Sequence, residues 1–321
     1  MKPNVFLNKF SLSFFEYPTS GAIFFLKLSP SIQIVFGASF LIFKYSLLAS
    51  VVFPEPESPV IQIIIVKLGF YFIFVLKPMK KYQIVILAAG LGSRMGKYVK
   101  SKPKTLVKVN GKPLIEFILN SLNKKFCSDI LIAVGYKKDK IIKLLGHKRG
   151  GMIIKYVFNP LYKTTNSTYS MWLLSSFFKK NIVVINADTI FDKDILKFLI
   201  KSKHKNALSV DDHIEIPLPD EAMKVTLNKK SIITNVSKKI SANKTSGDAI
   251  GIYKFDKEGL YHLKKELFRL IKKNNTKHLF TYAVNNILKK INIFSVSTKK
   301  RKWIEIDDKN DLMNAKKLFK I

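Results

Sequence analysis

From Tyr82 onward, short apolar runs alternate with amphipathic stretches, and no other feature of the chain narrows its fold so far. QIVILA (83–88) is a continuous apolar run that reads as a strand buried on both faces. DILIAVGY (129–136), MIIKYVFN (152–159) and NIVVINAD (181–188) read as further strands. Between them, PLIEFILNSLNKKF (113–126) puts Leu114, Phe117, Ile118 and Leu122 on one helical stripe, with Pro113 at the first helical position. KDKIIKLLG, STYSMWLLSSFF and residues 192–201 read as helices. Four shorter runs, ALSVDD, EAMKVTLN, SIITNVSKKI and DAIGIYKF, read as mixed or antiparallel strands. Helices near 257–273 and 278–290, strands NIFSVS and KWIEID, and a terminal helix DKNDLMNAKKLFK capped by Asp308 complete the chain. The expectation for 79–321 is a layered α/β domain around a central mixed, mostly parallel sheet, with no fixed-period repeat.

Residues 1–78 differ in composition. They hold six Lys and three Glu, no Arg or Asp, and the apolar runs SIQIVFGASFLIF and VIQIIIVKLGFYFIFVL. Each run approaches the length of a membrane span, with Lys44 and Lys67 interrupting, so a membrane hairpin is one reading. The favoured reading is a spurious extension, with Met79 as the true start. Reverse-complemented and shifted by one frame, codons for VVFPEPESPVI can spell I/M-T-G-D-S-G-S-G-K/N-T, which fits a phosphate-binding loop on the opposite strand.

The formal charge of +34, from 56 Lys+Arg against 22 Asp+Glu, suits a polyanionic or phosphorylated partner, although lysines scattered over solvated faces need none. The single Cys127 excludes an intramolecular disulfide and points to a reducing cytoplasm. Charge alone suggests nucleic acid, but the informative cations lie in a turn and no nucleic-acid partner is expected; a membrane partner is expected only if 1–78 is real.

That turn is ILAAGLGSRMGKYVKSKPKTL (86–106), where a strand runs into Gly90, Gly92, Arg94, Lys102 and Lys104. Strand, glycine turn and helix form an anion-binding corner. The dinucleotide fingerprint fails, because Met95 stands where its third glycine belongs, and Gly-Lys-Ser/Thr does not follow at the spacing of a kinase loop. What remains is a phosphate cradle with two strong cations. Hard oxygen ligands belong where strands end nearby. Asp188 closes NIVVINAD, and Glu305 and Asp307 alternate with Ile304 and Ile306, so both carboxylates share a strand face. Five acids crowd DDHIEIPLPDE (211–221): Asp211, Asp212, Glu215, Asp220 and Glu221.

LAAGLGSRMG followed by KPKTLVKVNGKPLIE resembles the opening motif of the nucleotidyltransferases that activate sugar phosphates and phospho-alcohols. NPLYKTTNSTYSMW, VVINADTIF, DEAMKV, GDAIGIYKF and WIEIDDKNDLMNAKK extend the likeness over 82–321, closest to the phosphocholine and aminoethylphosphonate cytidylyltransferases. The resemblance implies a Rossmann-like three-layer fold, Mg²⁺, and transfer of CMP from CTP to a phospho-amino-alcohol or aminoalkylphosphonate. It also implies that Leu87, Ala88, Ala89, Gly90, Gly92, Ser93 and Asn166 bind the nucleotide, that Arg94 clamps pyrophosphate, and that Lys104 and Lys238 neutralise phosphate. Asp188, Glu305 and Asp307 would hold the metal. The acid cluster, through Asp211 and Glu221, together with Tyr169 or Trp172 for cation-π contact, would suit an ammonium-bearing acceptor. A sugar-1-phosphate nucleotidylyltransferase and a non-catalytic nucleotide-binding regulatory module are the rival readings.

Overall fold

The computed structural model describes residues 81–179, 181–213 and 218–320, together with five strands nearer the N-terminus. Those five are β1 (Ser11–Leu12), β2 (Phe24–Ser29), β3 (Ile32–Phe36), β4 (Gln62–Val66) and β5 (Phe70–Phe74), in an antiparallel sheet of order β1-β2-β3-β5-β4. The rest of 1–78, and with it the choice between hairpin and extension, lies outside the described residues. Among the described residues no helix is long and apolar enough to cross a membrane. Contacts divide the chain into two units, 1–80 and 81–321.

In the second unit β6 (Tyr82–Ala88) is the central strand. Its residues alternate between two cores: Ile84, Ile86 and Ala88 face one, Val85 and Ala89 the other. Two antiparallel residue pairs, β7 (Lys108–Val109) and β8 (Lys112–Pro113), precede α1 (Leu114–Ser121). Pro113 is therefore the cap before α1 and not its first turn: its φ of −58° suits a helix, but its ψ of 146° is extended, consistent with its pairing to Lys108. The chain then builds outward through β9 (Cys127–Val134), α2 (Lys138–Leu145), β10 (Lys148–Arg149) and β11 (Met152–Phe158). It returns through α3 (Ser167–Ser175) to β12 (Ile182–Asn186), on the other side of β6. β11, β9, β6 and β12 are mutually parallel. Because the strand order reverses beside β6, a crevice opens at the carboxyl ends of β6 and β12, where open α/β sheets bind ligands.

After β13 (Thr189–Phe191) and α4 (Lys193–Lys201), the sheet continues with β14 (Ala207–Asp211). The ribbon of β15 (Lys224–Leu227) and β16 (Ile233–Val236) leads into β17 (Gly247–Phe255), which runs antiparallel between β12 and β14. Helices α5 (Lys257–Lys272) and α6 (Phe280–Ile287) follow, then β18 (Phe294–Ser297) on the outer edge, β19 (Trp303–Glu305) and α7 (Lys309–Leu318). The main sheet is mixed and mostly parallel, in the order β10-β11-β9-β6-β12-β17-β14-β18. One core lies under α1, α2 and α4, the other under α3, α5 and α6. This is the layered α/β arrangement expected from the apolar periodicity, with the three layers that the family resemblance implies. A smaller core of Met95, Val99, Val107, Leu114, Ile190, Ile306 and Leu312 supports the segments that follow β6 and β19.

Candidate active site

The glycine turn leaves β6 at the crevice. Gly92 has φ +65°, and a Cβ there would lie 2.8 Å from the Lys104 Cβ, so glycine is required twice over, by conformation and by space. A short 3₁₀ segment, Ser93–Val99, follows; it points Arg94 outward while burying Met95 and Val99. Lys104 opens a second 3₁₀ turn and is 8% exposed. Asp188 follows β12. The pairing of β13 with β19 places Thr189 opposite Glu305, and the Ile306 N–H donates to the Asp188 carbonyl at 3.0 Å. This register brings Asp188 to Glu305 and Asp307: one carboxylate oxygen from each lies within 4.8 Å of the others. Ile306 is fully buried behind them, as the alternation in WIEID requires.

A chain of ion pairs crosses the site. Lys104 Nζ lies 2.9 Å from Asp188 Oδ2 and 2.6 Å from Asp307 Oδ1. Arg94 reaches Asp307 at 2.8 Å and Glu221 at 3.4 Å, and Glu221 takes Lys238 at 2.8 Å. Burial alone would lower the Lys104 ammonium, but Asp188 and Asp307 outweigh it and hold the pKa above its usual value. Asp307 is held below the carboxylate range, since Lys104 and Arg94 overcome its burial. Glu305 is pushed up to about 8, first by burial and then by the charges of Asp188 and Asp307. Asp188 Oδ1 is buried without a hydrogen-bond partner. An orphaned carboxylate oxygen, a strained neighbouring carboxyl and three hard donors are the surroundings that a small divalent cation relieves. The residues present therefore fit such an ion.

These groups share one cavity of about 420 Å³. Its lining includes Leu87, Ala88, Ala89, Gly90, Gly92, Ser93, Arg94, Lys104, Asn166, Asp188, Lys238, Glu305 and Asp307. Asn166 also caps α3, accepting from the Ser167 N–H. Tyr169, Asp211 and Glu221 are not in the lining. Tyr169 turns its ring to Trp172, with the centroids 5.4 Å apart. Asp211 is a structural acceptor, bound to Trp303 Nε1 at 2.6 Å and Thr298 Oγ1 at 3.1 Å, and Asp212 accepts from Ser297 Oγ at 2.6 Å. These two acids thus fasten the sheet edge, and neither is among the described residues that line the cavity. Glu221 stands at the rim on Arg94 and Lys238, and Glu215 lies outside the described residues.

Several lining residues escape the sequence reading. Asn159 is buried; its amide donates to Ser170 Oγ at 3.0 Å and Thr165 Oγ1 at 3.2 Å, and its carbonyl oxygen accepts the Leu161 N–H, shaping the loop into α3. Asn186 meets Gly251, whose φ is +76° and whose added Cβ would lie 2.5 Å from Asn186 Nδ2. Ala249, Gly251, Tyr253 and Thr281 also line the cavity. The polar run in NPLYKTTNSTYS is the signal that could have found the first group; the β17 residues read only as an apolar strand.

Residues 84–219 match the MobA-like NTP transferase domain. Over 115 residues, 36% of this chain and 48% of the relative, the chain is 40% identical to the choline-phosphate cytidylyltransferase of Streptococcus pneumoniae. It is 34% identical over 115 residues to the D-glycero-alpha-D-manno-heptose 1-phosphate guanylyltransferase of Campylobacter jejuni, covering 36% of this chain and 51% of that one. It is 32% identical over 127 residues to the CMP-5'-(3-aminopropyl)phosphonate synthase of Streptomyces rubellomurinus, covering 40% of this chain and 20% of the relative. The chain thus spans a fifth to about half of the length of these relatives. Among solved structures it shares the fold of the CTP:phosphocholine cytidylyltransferase from Streptococcus pneumoniae, with a TM-score of 0.60 and 22% identity, over 75% of this chain and 100% of that one.

Proposed function

We propose that this chain, which carries a MobA-like NTP transferase domain over residues 84–219, is a Mg²⁺-dependent nucleotidyltransferase that joins a nucleoside monophosphate to a small phosphorylated or phosphonate acceptor. The observation that carries the reading is the meeting of the glycine turn, Arg94, Lys104 and three carboxylates in one cavity at the carboxyl rim of the sheet. The cytidylyltransferase relatives support CTP as the donor and a phospho-amino-alcohol or aminoalkylphosphonate as the acceptor. The heptose 1-phosphate relative supports a sugar phosphate as the second reading. Nucleoside triphosphates and a reduced Cys127 suit the cytoplasm.

An acceptor phosphate oxygen attacks the α-phosphorus in line; a new P–O bond forms there, the bond to the β-phosphate oxygen breaks, and pyrophosphate leaves. The attacking oxygen is already anionic near neutral pH, so no general base is required. The barrier is repulsion between anions together with alignment. Gly90 and Gly92 let backbone N–H groups approach the triphosphate, and Ser93 adds a donor. Arg94 holds the departing pyrophosphate, Lys104 the α-phosphate and Lys238 the acceptor phosphate. Each of these cations pairs with a carboxylate without substrate, so phosphate binding exchanges one anion for another and buries no new bare charge. Asp188, Glu305 and Asp307 would hold Mg²⁺, which when bound supplies charge neutralisation at the transferring phosphoryl group.

The test is pyrophosphate release across four nucleoside triphosphates and a panel of phosphorylated and phosphonate acceptors. Lys104→Ala and Asp188→Ala are each expected to abolish turnover while the circular dichroism spectrum stays folded. Near-native rates in either variant would remove the assigned roles.

A further inference from the structure

We infer that the amino rim of the sheet, opposite the candidate active site, holds a second anion site, one that takes a ligand carrying two or more phosphate groups. None of the residues concerned has a part in the nucleotidyl transfer described above.

β14 is antiparallel to β17, which is antiparallel to β12, and β18 is parallel to β14. Both β14 and β18 therefore run in the direction of β6 and β12, and the segments that enter them lie at the rim away from Gly92 and Asp188. Three segments meet there. Residues 203–206 lead into β14 and 288–293 into β18, and the turn between β15 and β16 closes on them through a bridge from Ile232 to Phe294. Between them lies a second cavity, of about 780 Å³, lined by Lys203, Lys205, Lys230, Lys289 and Lys290. Glu258, at the start of α5, is the one carboxylate among the described residues that line it.

None of the five ammonium groups is ion-paired to a described residue. Their mutual repulsion is therefore relieved by solvent or by a bound anion. One phosphate group carries about two negative charges at most near pH 7, so neutralising five ammonium groups against a single carboxylate takes at least two. Lysines act as compact point charges without a bidentate fork, which suits charge spread over many phosphate oxygens better than one planar carboxylate. On the same wall His204 lies flat against Phe294, ring centroids 4.0 Å apart and planes at 16°. Burial, and then Lys203 and Lys254, lower its pKa, so the ring is neutral at pH 7 in a field that is already positive. Asn206 lines the cavity too and is 6% exposed. Its Oδ1 accepts the Asp256 N–H at 3.0 Å, and its Nδ2 donates to none of the described residues, which leaves a buried donor for a ligand oxygen.

The experiment titrates the full chain with inorganic tripolyphosphate by isothermal titration calorimetry. Two sites are expected, one at each rim. Lys203→Glu combined with Lys289→Glu should weaken one of them about tenfold or more and leave the other unchanged, and Lys104→Ala should do the reverse. Lys143→Glu combined with Lys265→Glu makes the same change of charge on exposed positions of α2 and α5 and should move neither. Sedimentation with cardiolipin vesicles, against phosphatidylcholine vesicles, identifies the source of the phosphates. Vesicle binding that is lost in the Lys203→Glu, Lys289→Glu chain assigns a lipid headgroup; vesicle binding that is absent, or unmoved by that pair, assigns a free polyphosphate. Fewer than two tripolyphosphate sites in the native chain, or equal weakening by the two lysine pairs, overturns the second site and leaves nucleotidyl transfer standing.

Discussion

Gly92 and Asp248 show how single residues constrain the site. At Gly92 the positive φ and the 2.8 Å approach to the Lys104 Cβ act together, so an added methyl group must move the backbone or push Lys104 off its two carboxylates. Gly92→Ala is expected to cost about 1 kcal/mol or more in stability. It should also lower kcat beyond what the lost stability explains, which thermal melts and steady-state kinetics on the same sample separate. Asp248, 9% exposed on β17, has its pKa raised from 3.8 to about 6, first by burial and then by Asp211, against the opposing pull of the Met223 N–H and Lys224. The folded state therefore binds the proton more tightly than the unfolded chain does. Stability from this residue is fully present below pH 3.8 and is lost as pH rises through about 6. A shift of this size corresponds to at most about 3 kcal/mol. Asp248→Asn should thus melt higher than the native protein at pH 7–8, with the gap closing towards pH 4; a gap that widens on acidification would contradict the assigned cause.

At the level of elements, α7 connects a local rule to the site. Asp308 accepts from the N–H groups of Asn310 and Asp311, and Asp311 Oδ2 accepts from Asp307 and Asp308 in return, a capping box that fixes the backbone of Asp307. Asp308→Ala is expected to cost about 1 kcal/mol, a fall of roughly 2–4 °C in Tm for a domain of this size. Differential scanning calorimetry checks it. This cap was legible in the sequence because it depends on neighbours three residues apart, and the strands and helices were legible for the same reason: their periods are local. The carboxylate set was legible through strand alternation in WIEID and the strand-end position of Asp188. The pairing of β13 with β19, the positive-φ Gly251 in β17 and the 3₁₀ segment after Gly92 depend on register between distant segments, and no local pattern encodes that. The same gap explains why Asp211 and Tyr169 lie outside the cavity lining while Glu221 sits on Arg94 and Lys238. The acid density of 211–221 was real, but density does not fix direction, and Asp211 turned to Trp303. Tyr253 was overlooked because, in a strand, a buried tyrosine reads as one more apolar residue.

For the whole molecule, the question is what the first eighty residues contribute. Among the described residues, those that line the cavity lie between Leu87 and Asp307, and the three core clusters run from residue 82 onward. Contacts separate 1–80 from 81–321 as two units. The described strands β1 to β5 make up a five-stranded sheet of their own, and the sheet that carries the site is built from the described strands of 81–321. A domain with its own core and a closed set of strand pairings can fold alone. A chain beginning at Met79 is therefore expected to unfold in one cooperative transition, to show the same kcat and KM for pyrophosphate release as the full chain, and to be more soluble, because the apolar runs of 31–43 and 60–76 are gone. Loss of turnover in the shortened chain, with its far-ultraviolet spectrum intact, would assign residues 1–78 a part in catalysis. Loss of the cooperative transition would assign them a part in the fold.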